Sequence, residues 1–265
     1  MAIHGLESTI RRFSGAHCFR VIDAGGAENP PHRHDWPILS LYIMGQQTKV
    51  YEGGDALISR PSATLHRAGA PHANQAGKMG WEQLDIEFGP AWLGLHQLEL
   101  PQEPLSFWIG GQTGAASRVL AKEWLRHDRT EETLIQLTRR FLQQAACVPS
   151  PRGPEWLDLA VQYASRSVGR VDTQDLAQQL KLHPAWLTQS YRAAMGEGIQ
   201  ETALRSRIER AVDMLRGTST PCADIALATG FCDQSHLIRA FTRVLGRTPL
   251  LVRKEAPLCR KAAEN

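Results

Sequence analysis

Asp224-Ile-Ala-Leu-Ala-Thr-Gly-Phe-Cys-Asp-Gln-Ser-His-Leu-Ile-Arg-Ala-Phe-Thr-Arg-Val-Leu-Gly246 reads as a short helix, a tight turn and a second helix. Gly230 follows the first apolar run, where a left-handed residue turns the chain at low cost. Leu237 and Phe241 stand four residues apart and mark one face of the second helix. The opposite face then carries Gln234, Ser235, His236, Arg239 and Arg243.

The pattern occurs once more, about fifty residues earlier, as Asp175-Leu-Ala-Gln-Gln-Leu-Lys-Leu-His-Pro-Ala-Trp-Leu-Thr-Gln-Ser-Tyr-Arg-Ala-Ala-Met-Gly196. Asp175 matches Asp224, Ala177 matches Ala226, Leu187 matches Leu237, Tyr191 matches Phe241 and Gly196 matches Gly246, with one extra residue at the turn of the second copy. Ala177 and Ala226 are small where the second helix of each pair crosses the first. The outward face of the earlier copy presents Ala185, Trp186, Thr188, Gln189 and Arg192. Between the copies, Arg205-Ser-Arg-Ile-Glu-Arg-Ala-Val-Asp-Met-Leu-Arg216 is amphipathic and predicts a joining helix. Such outward side chains can reach base edges and phosphates when a helix lies in the major groove, and adjacent grooves require recognition helices about 34 Å apart. The plainer alternative is a helical bundle whose polar faces meet water.

Charge is distributed unevenly. Residues 1–154 carry 15 Lys/Arg against 15 Asp/Glu, residues 155–204 carry 4 against 6, and residues 205–261 carry 11 against 5. A basic segment is the footprint of a phosphate-binding surface, although many such surfaces bind nothing acidic. This distribution predicts that the second copy supplies more of the phosphate attraction and the first more of the selectivity or activation.

Ile225-Ala226, Gly230-Phe231-Cys-Asp-Gln-Ser235-His-Leu-Ile-Arg239-Ala-Phe241 and Gly246-Arg-Thr-Pro249 together resemble the AraC/XylS family of bacterial regulators. The resemblance covers about 155–255. It is looser in the first copy, where His183 stands at the helix-cap position and Lys181 or Leu182 replaces the turn glycine. The resemblance implies double-stranded DNA binding through Trp186, Gln189, Arg192, Gln234, Ser235, His236, Arg239 and Arg243. It also implies a homodimer and, for an activator, contact with RNA polymerase.

Working towards the N-terminus, Val148-Pro-Ser-Pro-Arg-Gly-Pro154 cannot continue a helix and is expected to be a linker. Before it, Ala116–Leu125 and Glu131–Leu142 repeat apolar residues at helical spacing, as packing or dimerisation helices do. The first 110 residues hold short β-like runs, Phe19–Ile22, Leu39–Ile43, Ala56–Ile58 and Gln83–Phe88, punctuated by Gly25-Gly26, Pro30-Pro31, Gly53-Gly54 and Gly89-Pro90. Gly26–Gly45 and Gly54–His66 resemble the two conserved motifs of cupin barrels. That resemblance implies a metal held by His32, His34 and His66, while the expected glutamate ligand falls at Ile38 or Leu39. His72 and Glu82 are candidate substitutes. Three imidazoles can hold a divalent metal, and they can equally hydrogen-bond loops or border an effector pocket without one.

The expected architecture is therefore α+β: a cupin-like barrel over 1–110, a helical segment over 111–147, the linker 148–154, and an all-α domain over 155–256 with helix-turn-helix motifs at about 173–195 and 222–245. Five scattered cysteines, Cys18, Cys147, Cys222, Cys232 and Cys259, show no zinc-type spacing and suit a reducing cytoplasm. No apolar run reaches the roughly 18 residues of a membrane span, and Met1–Phe13 lacks the apolar core of an export signal. The expected function is transcription regulation by a small-molecule or metal effector sensed in the barrel. The alternatives are a cupin-type metal-dependent enzyme with an accessory helical domain, and a module that binds a protein rather than DNA.

Overall fold

The computed structural model describes residues 6–23, 26, 28–58, 61–144 and 154–255. The chain divides into two compact units, with the boundary between residues 151 and 152. The proposed linker over 148–154, except Pro154, lies outside the described residues, as do Cys147 and Cys259.

The N-terminal unit is built from strands β1 (Leu6–Phe13), β2 (Ala16–Asp23), β3 (Glu28–His32), β4 (Ile38–Tyr51), β5 (Gly54–Ile58), β6 (Ser62–His66), β7 (His72–Phe88) and β8 (Leu105–Ile109). They form one eight-stranded sheet ordered β1-β2-β7-β4-β6-β8, with β3 paired to β7 and β5 to β4. All pairings are antiparallel. The long strands β4 and β7 run side by side from Ile38↔Glu87 to Tyr51↔His72, interrupted by irregularities around Met44 and Gln47. Helices α1 (Pro90–Leu95), α2 (Gly111–Leu125) and α3 (Glu131–Gln144) complete the unit.

Strand alternation gives the sheet two different interiors, because successive side chains point to opposite faces. Leu39 and Leu41 of β4, with Leu84, Ile86 and Phe88 of β7, join Leu65, Trp108, Leu120, Trp124, Leu134 and Phe141 in one apolar core. The helical periodicity over 116–142 is thus spent on covering the sheet. Trp124 donates its indole N–H to Thr138 (3.1 Å), and Arg11 caps the carbonyls of Trp124 (3.0 Å) and Arg129 (2.9 Å). The residues of opposite parity, Ile38, Ser40, Gln83 and Asp85, turn instead towards a polar chamber.

The C-terminal unit contains α4 (Glu155–Arg166), α5 (Thr173–Gln179), α6 (Pro184–Met195), α7 (Ile199–Gly217), α8 (Cys222–Ala228) and α9 (Gln234–Leu245), with further helix over 249–255. Leu157, Ala160 and Ala164 of α4 pack with Leu176, Ala177, Leu187, Tyr191 and Met195 of the α5–α6 pair and with Ile199 and Ala203 of α7. Farther along α7, Ile208, Ala211, Val212 and Leu215 are buried, as are Ile225, Ala226, Phe231, Leu237 and Phe241 of the α8–α9 pair. A buried polar chain fixes the α6–α7 junction: the Tyr191 hydroxyl donates to Thr202 (2.8 Å), whose hydroxyl donates to Glu197 (2.8 Å), which also accepts from Arg205 (3.0 Å).

Candidate functional site

The two helix pairs turn by the same backbone route. In the second, the N–H of Gly230 donates to Leu227 (3.0 Å) and that of Phe231 to Ala226 (2.8 Å). In the first, the N–H of Lys181 donates to Gln178 (3.1 Å) and that of Leu182 to Ala177 (2.9 Å). The open choice between Lys181 and Leu182 resolves to Lys181, which takes the left-handed conformation at φ 56°, against φ 80° at Gly230. Gly230 also lacks room for a side chain, since an added Cβ would collide with the Val168 carbonyl oxygen.

The starts of the second helices differ. Asp233 caps α9 by accepting the His236 N–H at 2.6 Å. His183 makes no side-chain cap to α6, where Pro184 at the first helical position supplies a fixed φ instead. In both helices the apolar ridge is inward, with Leu187, Tyr191, Leu237 and Phe241 fully buried.

The outward residues expected from the sequence are exposed on α6 (Trp186, Gln189, Arg192) and on α9 (Gln234, Ser235, Arg239, Arg243). Trp186 is 47% exposed and meets the Trp156 ring edge-on. Arg192 lies 3.5 Å from Glu201. Arg239 and Arg243 make no ion pair among the described residues. His236 is only half-exposed: its ring stands edge-on to Phe231 and its Nδ1 accepts the Cys232 N–H at 3.4 Å. It therefore braces the turn as well as facing outward.

Much of the basic surplus over 205–261 is internal. Arg205 is held between Glu197 and Glu209; burial lowers its pKa, but the two carboxylates more than offset this and leave it raised. Arg207 donates to the carbonyls of Thr229 and Gly230 and lies 4.2 Å from the Phe231 ring centroid. Arg210 donates to Ser165 (2.5 Å) and Ser167 (2.8 Å), Arg247 pairs with Glu255 (2.5 Å), and Arg253 donates to Thr220. The exposed cations of α9 are thus a small part of the count.

In the N-terminal unit, the chamber is lined by Asn29, His32, His34, Ser40, Lys49, His66, His72, Asn74, Trp81, Gln83 and Asp85, with a cavity of about 20 Å³. That volume admits an object about the size of one water. The pairing of β3 with β7 sets His32 opposite His72, and just past the end of β3 the His34 ring stands edge-on to that of His32, with centroids 5.0 Å apart. One ring nitrogen from each of His32, His34 and His72 lies within 4.8 Å of the other two. His66 is held differently: the buried Lys49 Nζ lies 2.8 Å from its Nε2. Glu82, with the parity of Leu84, is absent from the chamber lining and lies 3.5 Å from Arg20.

The chamber favours neutral imidazoles. Burial, then His32 and Lys49, lower the pKa of His34 to about 4. Burial, then Lys49, lower that of His72 to about 2, and the same two causes depress His66. Burial lowers Lys49 to about 8 against the pull of Asp85, whose own pKa burial raises. Sequence reasoning missed Lys49 and Asp85, because neither has a motif; only the β4–β7 register and strand parity bring them here.

A helix-turn-helix domain family matches residues 176–255. Over 75 residues, 28% of this chain, the sequence is 38% identical to a protein of Streptomyces antibioticus named as an AraC-like transcription regulator, and the match spans 25% of that relative's length. Among solved structures, a single-substitution variant of apo ToxT from Vibrio cholerae aligns over 92% of this chain and 98% of its own, with 11% identity and a TM-score of 0.42. The C-terminal domain of AraT, a response regulator from Geobacillus stearothermophilus, aligns over 39% of this chain and 88% of its own, with 23% identity and a TM-score of 0.37. No helix among the described residues is long and apolar enough to cross a membrane.

Proposed function

We propose that the chain is an AraC-type transcription regulator that binds double-stranded DNA through α6 and α9; the helix-turn-helix family match over 176–255 and the 38% identity to an AraC-like regulator support this reading. The observation that carries this reading is the division of each helix into a buried ridge and an exposed polar row: Leu237 and Phe241 inward, with Gln234, Ser235, Arg239 and Arg243 outward. Side chains of these types make base-edge and phosphate contacts when such a helix enters the major groove. The nineteen residues of α7 rise about 28 Å, on the scale of the roughly 34 Å between successive major-groove faces. His236 contributes mainly by holding the start of α9.

In this reading the N-terminal β unit is the sensory half, a cupin-like fold whose chamber reads the effector, and the chain works in the cytoplasm. A homodimer reaches two half-sites, and an activator form would touch RNA polymerase. The segments 1–110, 111–147, 148–154 and 155–256 are then the sensor, its packing helices, the linker and the DNA-binding domain. The position expected for the glutamate ligand of a metal-dependent enzyme is Ile38 or Leu39, and no glutamate lines the chamber among the described residues. Selection of bound duplexes from a random library by the purified full chain tests the proposal. Recovery of a shared sequence motif supports it, and a pool that stays random after repeated rounds refutes it.

A further inference from the structure

We propose that the N-terminal chamber is a site for one divalent transition metal ion of the zinc type, held by His32, His34 and His72, with His66 outside the ligand set. The inference rests on the sensory reading of the β unit given above and names its effector class.

Tautomers and partners support this set. His32 Nδ1 lies 2.8 Å from the Pro30 carbonyl and His72 Nδ1 lies 3.4 Å from the Ala70 carbonyl. Each ring thus donates its Nδ1–H to the backbone and leaves the Nε2 lone pair for a ligand, which is how metal-binding histidines are ordinarily oriented. His66 is the reverse case. Its Nε2 lone pair already accepts from the Lys49 ammonium at 2.8 Å, and an ion at that nitrogen would face a cation directly.

The surroundings point to an ion rather than an organic effector. A cavity of about 20 Å³ has no room for a sugar or an acyl chain. Asn74 Oδ1, Asp85 Oδ1 and His66 Nδ1 belong to buried side chains that line it, and these atoms have no hydrogen-bond partner among the described residues. Buried polar atoms in that condition are met by an ordered water or an ion, and the two oxygens can accept from waters on an ion's open positions. A donor set of imidazole nitrogens suits zinc, copper, nickel or iron and disfavours calcium and magnesium, which take oxygens. Zinc–nitrogen distances are about 2.0–2.1 Å, so the three nitrogens, within 4.8 Å of one another, must draw together by side-chain rotation.

The test is equilibrium dialysis and calorimetry of the tag-free full chain with zinc chloride, with cobalt(II) as a coloured probe. One ion per chain is expected. His34→Gln and His72→Gln should each weaken binding by more than about a hundredfold, beyond the 10–100-fold that loss of a supporting partner costs. His66→Gln should keep the ion within about tenfold. Metal-free melting of every variant checks that the fold survives, and X-ray absorption of the zinc-loaded wild type counts imidazoles with no substitution at all. Three imidazoles support the proposal. Less than a tenth of an equivalent bound, four imidazoles, or retention in His72→Gln with loss in His66→Gln overturns it. DNA binding by the same preparations is scored separately, so a chain that binds DNA without metal loses this inference alone, and one that binds metal without DNA loses the regulator reading instead.

Discussion

Replacing Gly230 by alanine perturbs the turn of the second helix pair in two ways. At φ 80°, a residue with a Cβ carries roughly 1–2 kcal/mol of left-handed strain. The new methyl must also displace the Val168 carbonyl, and forcing atoms into a filled site costs about 1–3 kcal/mol more. Together these give about 2–5 kcal/mol, a large share of the stability of an ordinary domain. Hydrogen exchange of the α8 and α9 amides, in conditions where exchange reports equilibrium opening, reads this as an acceleration between about thirtyfold and several thousandfold, at 1.4 kcal/mol per factor of ten. Lys181→Gly is the matched control. It relieves a similar strain at φ 56° but adds about 0.5–1 kcal/mol of unfolded-chain entropy, so α5 and α6 should be stabilised by no more than about 1.5 kcal/mol. Exchange in Gly230→Ala within about threefold of wild type would refute the packing argument.

Other outcomes follow from the same structure. Glu197→Ala leaves Arg205 half-paired and removes the acceptor of Thr202; breaking a buried pair in this way costs about 3–5 kcal/mol, measurable by urea denaturation followed by far-UV circular dichroism. In metal-free protein, His66 and His72 are neutral when folded and protonate below about pH 6.5 when unfolded. The unfolded state then binds more protons, so the stability of the N-terminal unit should fall as pH drops below 6.5, by up to about 1.4 kcal/mol per pH unit for each histidine. A melting temperature for that unit that is flat between pH 6.5 and 5 would contradict this. Fluorescence anisotropy should show Arg239→Ala losing more DNA affinity than Gln189→Ala, since an exposed cation on α9 is exchanged for nothing; the reverse order would move the main contact to the first copy.

The helical half was legible in the sequence because its signals are local. Leu237 with Phe241, and Gly230 before them, fix a helix-turn-helix within twenty residues, and no distant partner is needed to read it. The first copy was harder, since a lysine in the left-handed region looks like any other lysine until its φ is known. Charge counting misled by degree: Arg205, Arg207, Arg210, Arg247 and Arg253 look like a phosphate-binding surface in sequence and serve as internal ties in three dimensions. The chamber was half-legible. The motif supplies His32 and His34, but His72 arrives through the β3–β7 register, forty residues away along the chain. Lys49, which claims His66, stands on β4 beyond the end of the first motif and before the second. Strand pairing over such separations leaves no mark in the sequence of either strand.

The central claim, that α9 presents its arginines to the phosphates of duplex DNA, is tested most directly by the salt dependence of binding to a selected duplex. Between about 50 and 200 mM salt the wild-type affinity should fall steeply, with a log–log slope of about −0.9 per phosphate neutralised. Arg239→Ala and Arg243→Ala should each make that slope shallower by about one. An affinity that hardly changes with salt, or a slope untouched by both substitutions, would contradict the account.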